Sequence, residues 1–600
     1  MEWIKTHIGQ IMDHDSEPDF LYSDCQENPA LYGPFKLPIE YLDESSRHPL
    51  SDIVCQDLEL VDTRGANHSM YQFLFQPSHP LGDSMISEWK RAFTSDVAFL
   101  KDTQQIVQEM TTCDLSPNPM KYESIMQLWG HTKEDDYFLE KHNYVEWDVL
   151  ESLNRSSSFL QILFTINMLS PAISLIFPFI MLIVPFIILK IRGVPITFPL
   201  YFETLQEIAK HHFLGKALLN LRQMSADKMI YLVFLIGLYF YQIYQNLLLC
   251  SRFYHNILKI NDDLCNLSEY LDDSIRNMQG FVELHSSKKT YREFCKTITS
   301  HSLVLGQFRK ELGELTPTTH IFTKLSNIGH LLKCYYVLHA NVKYENSIRY
   351  SFGFEGFLDN LRGINRHVIS GAISPTKYNT TKKCKLIEQY YPASIGSTKC
   401  VKNTCDLKKK NIITGPNASG KTTFLKTTTI NIIFSQQIGF GFYKACRLNP
   451  YTHIHSYLNI PDTSERDSLF QAESRRCKEI IEIIGENRQN NSMRHYCIFD
   501  ELYSGTNPSE ATLAAHAFMK YLSEYENVDY ILTTHYVSIC RALKHSKKIK
   551  NYKMEVVPLK NGKYEYTYRI KSGISNIKGA IQILEDMNYP KEILDDMRAS

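Results

Sequence analysis

Three kinds of hydrophobic patterning alternate along the chain. The first is continuous: no charged residue occurs from Ser156 to Leu189, or from Met229 to Ser251, a run bounded by Lys228 and Arg252. About twenty apolar residues span the hydrocarbon core of a bilayer, and a soluble surface helix of such length carries a polar face. Both runs are therefore expected to enter a membrane. The second pattern is helical. Ile257, Ile260, Leu264, Leu267, Leu271, Ile275 and Met278 recur at three- and four-residue steps, which predicts a long helix with one apolar stripe. The third is strand-like: Asn411–Thr414, His495–Phe499 and Val528–Thr534 are short apolar runs separated by helical stretches. Helices are predicted over Thr423–Phe434 and from Pro508 or Ser509 onward, the latter with Leu513, Ala517, Phe518 and Tyr521 on its apolar face.

Composition narrows the class. Six hundred residues are too many for one core, so two to four domains are expected. Lys+Arg and Asp+Glu both number 65, which excludes a generally basic nucleic-acid-binding chain but leaves room for a local basic surface. Lys408–Lys410 and Arg541–Lys553 are candidates, and both read more simply as solvated faces. The fourteen cysteines show no C-x-x-C pair, and Met1–Glu40 lacks an apolar signal region. A reducing, cytosol-facing protein is the expectation.

The chemistry begins at Gly415-Pro-Asn-Ala-Ser-Gly-Lys-Thr422, which fits G-x-x-x-x-G-K-[ST] between a predicted strand and a predicted helix. Glycines let the backbone curl so that successive N–H groups face phosphate oxygens, and the helix start adds its positive dipole end. Gly415, Pro416, Asn417, Ala418, Ser419, Gly420, Lys421, Thr422 and Thr423 are thus the candidate ATP-binding residues. Lys421 is assigned to the β- and γ-phosphates, and the Thr422 hydroxyl to Mg²⁺. The apolar strand His495–Phe499 ends in Asp500-Glu501. Asp500 would act on Mg²⁺, and Glu501 would polarise the attacking water. His535 follows the strand Val528–Thr534, at the strand edge where α/β sheets present ligands, and is the candidate γ-phosphate sensor.

The order TGPNASGKTT, IFDELYSGT, TTHY resembles the ATPase domain of the MutS family of DNA mismatch-repair proteins. RDSLFQAES (466–474) resembles the family segment in which a serine is offered across a dimer to the partner's γ-phosphate, and Ser468 is the matching residue. IGFGFYKACR (438–447), the lead-in strands of 386–411 and SGISNIKGAIQILEDMNYPKEIL (572–594) agree. The Leu-Ser-Gly-Gly signature of Rad50/SMC and transporter ATPases is absent from the sequence. The resemblance implies ATP and Mg²⁺ as cofactors, a homodimer or paralogue heterodimer, and mismatched or otherwise irregular duplex DNA as partner. It departs from the family in lacking a recognisable Phe-x-Glu mismatch wedge: Phe138-Leu-Glu140 and Phe281-Val-Glu283 fit the triplet in unsuitable contexts.

The expected fold is an α/β P-loop NTPase domain at the C-terminus, joined to a largely α-helical MutS-like core and lever region containing candidate transmembrane segments. The expected spans are 1–50 unassigned, 51–155 core-like, 156–251 membrane insert, 252–375 core and lever, and 376–600 ATPase. An even number of crossings would leave both flanks on the ATP side. The Lys/Arg-rich loop 190–228 favours the cytoplasm instead. Pro171, Pro178 and Pro185 would also allow the first run to be a re-entrant hairpin, with the second lying as an interfacial or protein-packed helix. The functional expectation is a membrane-associated, ATP-driven clamp on DNA whose ATPase faces the cytosol or nucleoplasm. The alternatives are a membrane-tethered mechanochemical ATPase acting on a protein or branched DNA, and a non-enzymatic protein with a vestigial site.

Overall fold

The computed structural model describes residues 31–600 except 63–67, 111–118, 134, 212–225, 314–326, 382–383, 397–399, 459, 461–467, 487–492, 560–563, 578–583, 585–586, 588 and 600. The chain begins with strand β1 (Arg47–Pro49) and helices α1 (Asp52–Asp57), α2 (Met70–Phe75) and α3 (Pro80–Met85). Strand β2 (Ala92–Thr94) pairs antiparallel with β1. Then come α4 (Val97–Glu109), α5 (Pro119–Lys133), α6 (Ser157–Ile191), α7 (Phe198–His211) and α8 (Ala226–His285). Helices α9 (Arg292–Leu312), α10 (Ile328–Ala340) and α11 (Val342–Ile369) follow.

The remainder is α/β. Strands β3 (Ser374–Tyr378), β4 (Lys385–Gln389), β5 (Asn403–Asp406) and β6 (Lys410–Thr414) lead to helix α12 (Lys421–Gln437). Strands β7 (Phe440–Gly441), β8 (Ala445–Leu448) and β9 (His453–Tyr457) precede α13 (Leu469–Glu486). Strand β10 (His495–Asp500), α14 (Pro508–Glu524), β11 (Val528–Thr534), α15 (Val537–Ala542), β12 (Ile549–Pro558), β13 (Tyr564–Ser572) and α16 (Lys591–Ala599) complete it.

Contacts divide the chain into two compact units. One comprises the described parts of Met1–Pro117, Phe281–Thr297 and Arg349–Ser600, the other those of Asn118–Gly280 and Ile298–Ile348. Helices α8, α9 and α11 each continue from one unit into the other, and 376–600 falls wholly in the first.

In the first unit a six-stranded sheet has the order β13-β12-β6-β11-β10-β9. Its neighbours are parallel except for the β12–β13 pair. Strands β6, β10 and β11 are almost wholly buried, which is why they read as unbroken apolar runs. A second sheet, β5-β4-β8-β3-β7, is mixed.

Helix α12 is buried nearly all round although it is rich in Thr, Asn and Gln. Its polar groups are satisfied locally: Thr428 and Thr429 donate to the carbonyls of Phe424 and Leu425 at 3.0 and 2.9 Å. Its C-terminal amides reach the N-terminal ribbon. Gln436 donates to the Thr94 carbonyl at 3.0 Å, and Gln437 to those of Trp89 and Ala92 at 2.7 and 3.0 Å. Buried amides paired in this way fix the seating of a helix that apolar contacts alone would leave free to slide.

Two expectations are corrected here. On α14 the packed residues are Ala511, Ala515, Phe518, Met519 and Leu522. Leu513 and Tyr521 are 70% and 45% exposed, and Ala517 also faces solvent, so of the expected apolar face only Phe518 is inside. Lys410 is not part of a solvated basic run either. It is buried in β6, and its ammonium donates to the carbonyls of Leu522, Ser523 and Tyr525 at 3.1, 2.7 and 2.7 Å.

The second unit is helical. Ile257, Ile260, Leu264, Leu267, Leu271 and Met278 of α8 are buried and Ile275 is half-buried, in line with the expected stripe. Helix α6 continues through Pro171, Pro178 and Pro185, so the first apolar run does not turn back on itself as a re-entrant hairpin. By length and composition, Ser157–Ile176 suffices to cross a membrane. Phe138 is buried and stacks on His339 at 4.0 Å. Phe281, in the first unit, packs against Phe354 and Phe357. Neither is free to act as a wedge.

Candidate active site

The site is assembled at the C-terminal edges of three adjacent parallel strands, β6, β11 and β10. Register puts Thr414 beside Thr534 and Thr533 beside Asp500. Each strand therefore delivers its loop to the same edge, where open α/β sheets bind ligands. From β6 the chain enters Gly415–Gly420, turns through Ala418 (φ 60°) and Gly420 (φ 90°), and starts α12 at Lys421. Gly420 needs its left-handed conformation and its lack of a side chain, since an added Cβ would lie 3.0 Å from the Tyr568 ring. The Ser419 hydroxyl closes the loop on the Pro416 carbonyl at 2.7 Å. Asn417, Ala418 and Thr423 are exposed, whereas Gly415, Pro416, Ser419 and Lys421 are buried.

Lys421 Nζ lies 3.0 Å from the Gly415 carbonyl, 3.3 Å from that of Pro416, and 3.7 Å from Glu501 Oε1. Thr422 donates its hydroxyl to Asp500 Oδ2 at 2.6 Å, and Thr533 donates to Asp500 Oδ1. Glu501 carries on the strand pairing, its N–H bonded to the Thr533 carbonyl at 3.0 Å, with φ 51° turning its side chain toward Lys421. His535 Nδ1 is 3.4 Å from Glu501 Oε1. The His535 hydrogen bond holds the Glu501 carboxyl below its ordinary value. Partial burial opposes that shift, and the Lys421 charge reinforces it.

Lys421, Thr422, Asp500, Glu501 and His535 thus converge. Ser468 does not join them: it is exposed ahead of α13, where its N–H bonds the Gln471 side chain at 2.9 Å and its hydroxyl accepts from the Gln471 N–H at 3.4 Å. The residues preceding it from 461, Arg466 included, lie outside the described part, as do 578–583 of the C-terminal resemblance.

Two cavities flank the constellation. One, of about 840 Å³, is lined by Asp57, Ser456, Arg476, Asp500 and Glu501 among others. The other, of about 250 Å³, lies beside Gly420 and includes Tyr390, Val401, Asn403, Thr423 and Tyr568. Asn403 fixes its wall by donating to the Tyr568 carbonyl and accepting from the Ile570 N–H, both at 2.9 Å. Sequence reasoning missed Asn403, Tyr568 and Thr533. The first two belong to strands far apart in the chain with no motif to join them. Thr533 is the residue opposite Asp500 once β10 and β11 are paired in parallel, and that pairing was the available signal.

The donor set suits a hard divalent cation. A hydroxyl and a carboxylate lie 2.6 Å apart at a helix start, with no thiolate or imidazole in the pair.

Residues 411–600 match the family model for MutS domain V. A DNA mismatch repair protein MutS of Persephonella marina is 25% identical over 186 residues, 31% of this chain and 20% of the relative. One from Listeria welshimeri is 25% identical over 209 residues, 34% of this chain and 23% of the relative. An endonuclease MutS2 of Lactococcus lactis is 25% identical over 254 residues, 42% of this chain and 31% of the relative. The matches therefore span less than a third of each relative's own length. Over this C-terminal domain the chain is thus similar to MutS proteins, at low identity.

Proposed function

We propose that the chain is a Mg²⁺-dependent ATPase of MutS type that couples ATP binding and hydrolysis to gripping or releasing irregular duplex DNA. The observation that carries this reading is the convergence of Lys421, Thr422, Asp500, Glu501 and His535 at one sheet edge. Thr422 and Asp500 would hold Mg²⁺, which neutralises phosphate charge when bound. Lys421 supplies a fixed cation for the β- and γ-phosphates, and the N–H groups of the Gly415–Gly420 loop supply further donors. Glu501, kept ionised by His535 and Lys421, accepts a hydrogen bond from the attacking water and orients it. Its fixed position supplies alignment, which is most of what a phosphoryl-transfer enzyme contributes. The cavity at Tyr568 and Val401 is suited to the nucleotide base, with an aromatic face on one wall. Ser468, exposed just ahead of α13, is accessible to a second subunit's nucleotide, so the reading includes a homodimer or a heterodimer of paralogues.

The reading also includes membrane attachment, with the ATPase facing the cytosol or nucleoplasm. What supports it is an inverted polarity in the second unit. Between α6 and α8 lie two half-buried polar contacts beside the Phe164–Phe253 pair: the Tyr239 hydroxyl donates to the Ser174 carbonyl at 2.7 Å, and the Asn246 amide to the Ser174 hydroxyl at 2.9 Å. Outward, Ile162, Ile183, Val233 and Phe234 are exposed. A water-soluble helix pair does the reverse.

ATP turnover by detergent-purified protein is the first test, followed by binding to perfect, mismatched and branched duplexes with and without ATP across a salt series. ATP-sensitive preference for a mismatch or junction is expected. Intact turnover with no DNA binding at low salt would move the reading to a membrane-tethered motor acting on a protein.

A further inference from the structure

The chain leaves β10 through a contorted loop. Glu501 and Tyr503 both take left-handed backbone conformations, with φ 51° and 58°, which L side chains adopt at a cost. Such a loop persists only if its surroundings over-determine it. Three of its donors end on one carboxylate, that of Glu473 in α13. Ser504 N–H and Ser504 hydroxyl donate to Oε1 at 3.0 and 2.8 Å, and Gly505 N–H donates to Oε2 at 3.2 Å. Glu473 is only 2% exposed.

The same helix packs on the loop through its first turn. A Cβ on Gly505 would lie 2.8 Å from Leu469 Cβ and from the Phe470 nitrogen, so only glycine permits the approach. Phe470 and Tyr503 pack with ring centroids 5.7 Å apart. The start of α13, immediately after Ser468, and the loop that carries Glu501 are therefore one block, held by a buried carboxylate.

We propose that Glu473 is a positioning residue for ATP hydrolysis: it sets the loop that aims Glu501 and ties that loop to the helix start that follows Ser468. This rests on the ATPase reading above. Glu473 reaches neither Lys421 nor Asp500 by any described bond. It acts through Ser504 and Gly505, so its loss should leave nucleotide affinity and remove alignment. A misplacement of about 1 Å at a reacting group costs on the order of a hundredfold in rate.

The experiment compares ATP turnover, kcat and KM separately, in full-length wild type, Glu473→Gln and Glu473→Ala, with the thermal midpoint of each. Gln keeps the shape and one acceptor oxygen, so the expected order is wild type, then Gln, then Ala. In Glu473→Ala, kcat is expected to fall by about tenfold or more while KM moves less than about threefold. Unchanged kcat in both variants overturns the proposal. So does a drop in thermal midpoint with the folded fraction retaining wild-type kcat, which marks a purely structural carboxylate. A wild-type chain that turns over no ATP is a different failure: it sinks the ATPase reading itself, and the positioning role with it.

Discussion

His535 Nδ1 and Glu501 Oε1 lie 3.4 Å apart, joining the end of β11 to the residue that follows β10, and Lys421 Nζ approaches the same oxygen at 3.7 Å. One carboxylate oxygen thus has a histidine and a lysine as neighbours from separate elements. The larger of the two influences on its ionisation is the histidine hydrogen bond.

Replacing His535 by Asn should therefore raise the Glu501 pKa. A depressed carboxyl keeps its charge down to a lower pH, so the acid limb of kcat/KM in the wild type lies below the ordinary glutamate value of 4.5. In His535→Asn that limb is expected to move to higher pH. The same sign holds for stability: the contribution of Glu501 is present above its unfolded pKa and is lost as pH falls through the folded one. A pH–rate profile from pH 4 to 8 in both proteins checks this, and coincident acid limbs would count against the pairing.

Asp500 accepts from Thr422 at 2.6 Å and from Thr533, one hydroxyl on each carboxylate oxygen. Asp500→Asn leaves the shape but removes the charge that would oppose a divalent cation. The Mg²⁺ concentration for half-maximal turnover is expected to rise by about tenfold or more. Thr533→Val removes only an orienting hydroxyl and should give a smaller change of the same sign. Titrating Mg²⁺ against turnover orders the three proteins.

The legibility of this fold follows burial. Strands β6, β10 and β11 were readable because both their faces are covered, so Asn411–Thr414, His495–Phe499 and Val528–Thr534 carry no polar alternation. The turn Gly415–Gly420 was readable because its backbone curvature demands particular residues at fixed spacing. Helix α14 was misread because its inward face is partly built from Ala511 and Ala515, whose small size brings helix and sheet together. The bulkier Leu513 and Tyr521 point outward. Lys410 was invisible as a buried cation because its three acceptors are carbonyls more than a hundred residues away. Glu473 carried no local signal for the same reason: its partners are in the loop after the next strand.

Lys410 gives a stability prediction. Its ammonium draws together the C-terminal carbonyls of α14, where a positive charge also suits the helix dipole. Burial lowers its pKa to about 8, against the pull of Asp529. Lys410→Met keeps the stem and strips the donors, leaving buried carbonyls unpaired. The loss in unfolding free energy is expected to be about 2–4 kcal/mol. Urea denaturation reads it, and a change under about 0.5 kcal/mol would mean water replaces the ammonium.

Four histidines give a pH dependence. On β9 and β10, His453 and His495 stack with centroids 4.6 Å apart, and His455 and His495 at 5.4 Å. His48 stands 6.4 Å from His453. Burial lowers all four, His495 to about 3 and His48 to about 4, with repulsion among the imidazoles adding to the shift at His48, His455 and His495 and Arg476 contributing at His455. An imidazole with a folded pKa below its unfolded value of 6.5 stays neutral where the unfolded chain binds a proton. Stability should therefore fall as pH drops below 6.5, by up to about 1.4 kcal/mol per pH unit for each histidine. His495→Gln should show a shallower loss between pH 6.5 and 5 than the wild type. Parallel stability curves would place the acid sensitivity elsewhere.

The outward face of α6 and α8 makes the last prediction. Ile173 and Val233 are 50% and 65% exposed, while Ser174, Tyr239 and Asn246 spend their polar groups on each other between the helices. In water such a pair would expose apolar surface and hide its hydrogen bonds, losing on both counts. In lipid the outer face is solvated by acyl chains and the seam is satisfied internally. The wild-type chain is expected to float with phospholipid vesicles on a density gradient and to resist alkaline extraction. A lysine at the bilayer centre costs about 2.5–3.5 kcal/mol on insertion scales, so Ile173→Lys with Val233→Lys should weaken retention sharply. ATP turnover in detergent should be preserved, since neither residue belongs to the unit that holds Glu501. Wild-type protein that stays monodisperse without detergent and sediments away from vesicles would instead assign that face to a protein partner.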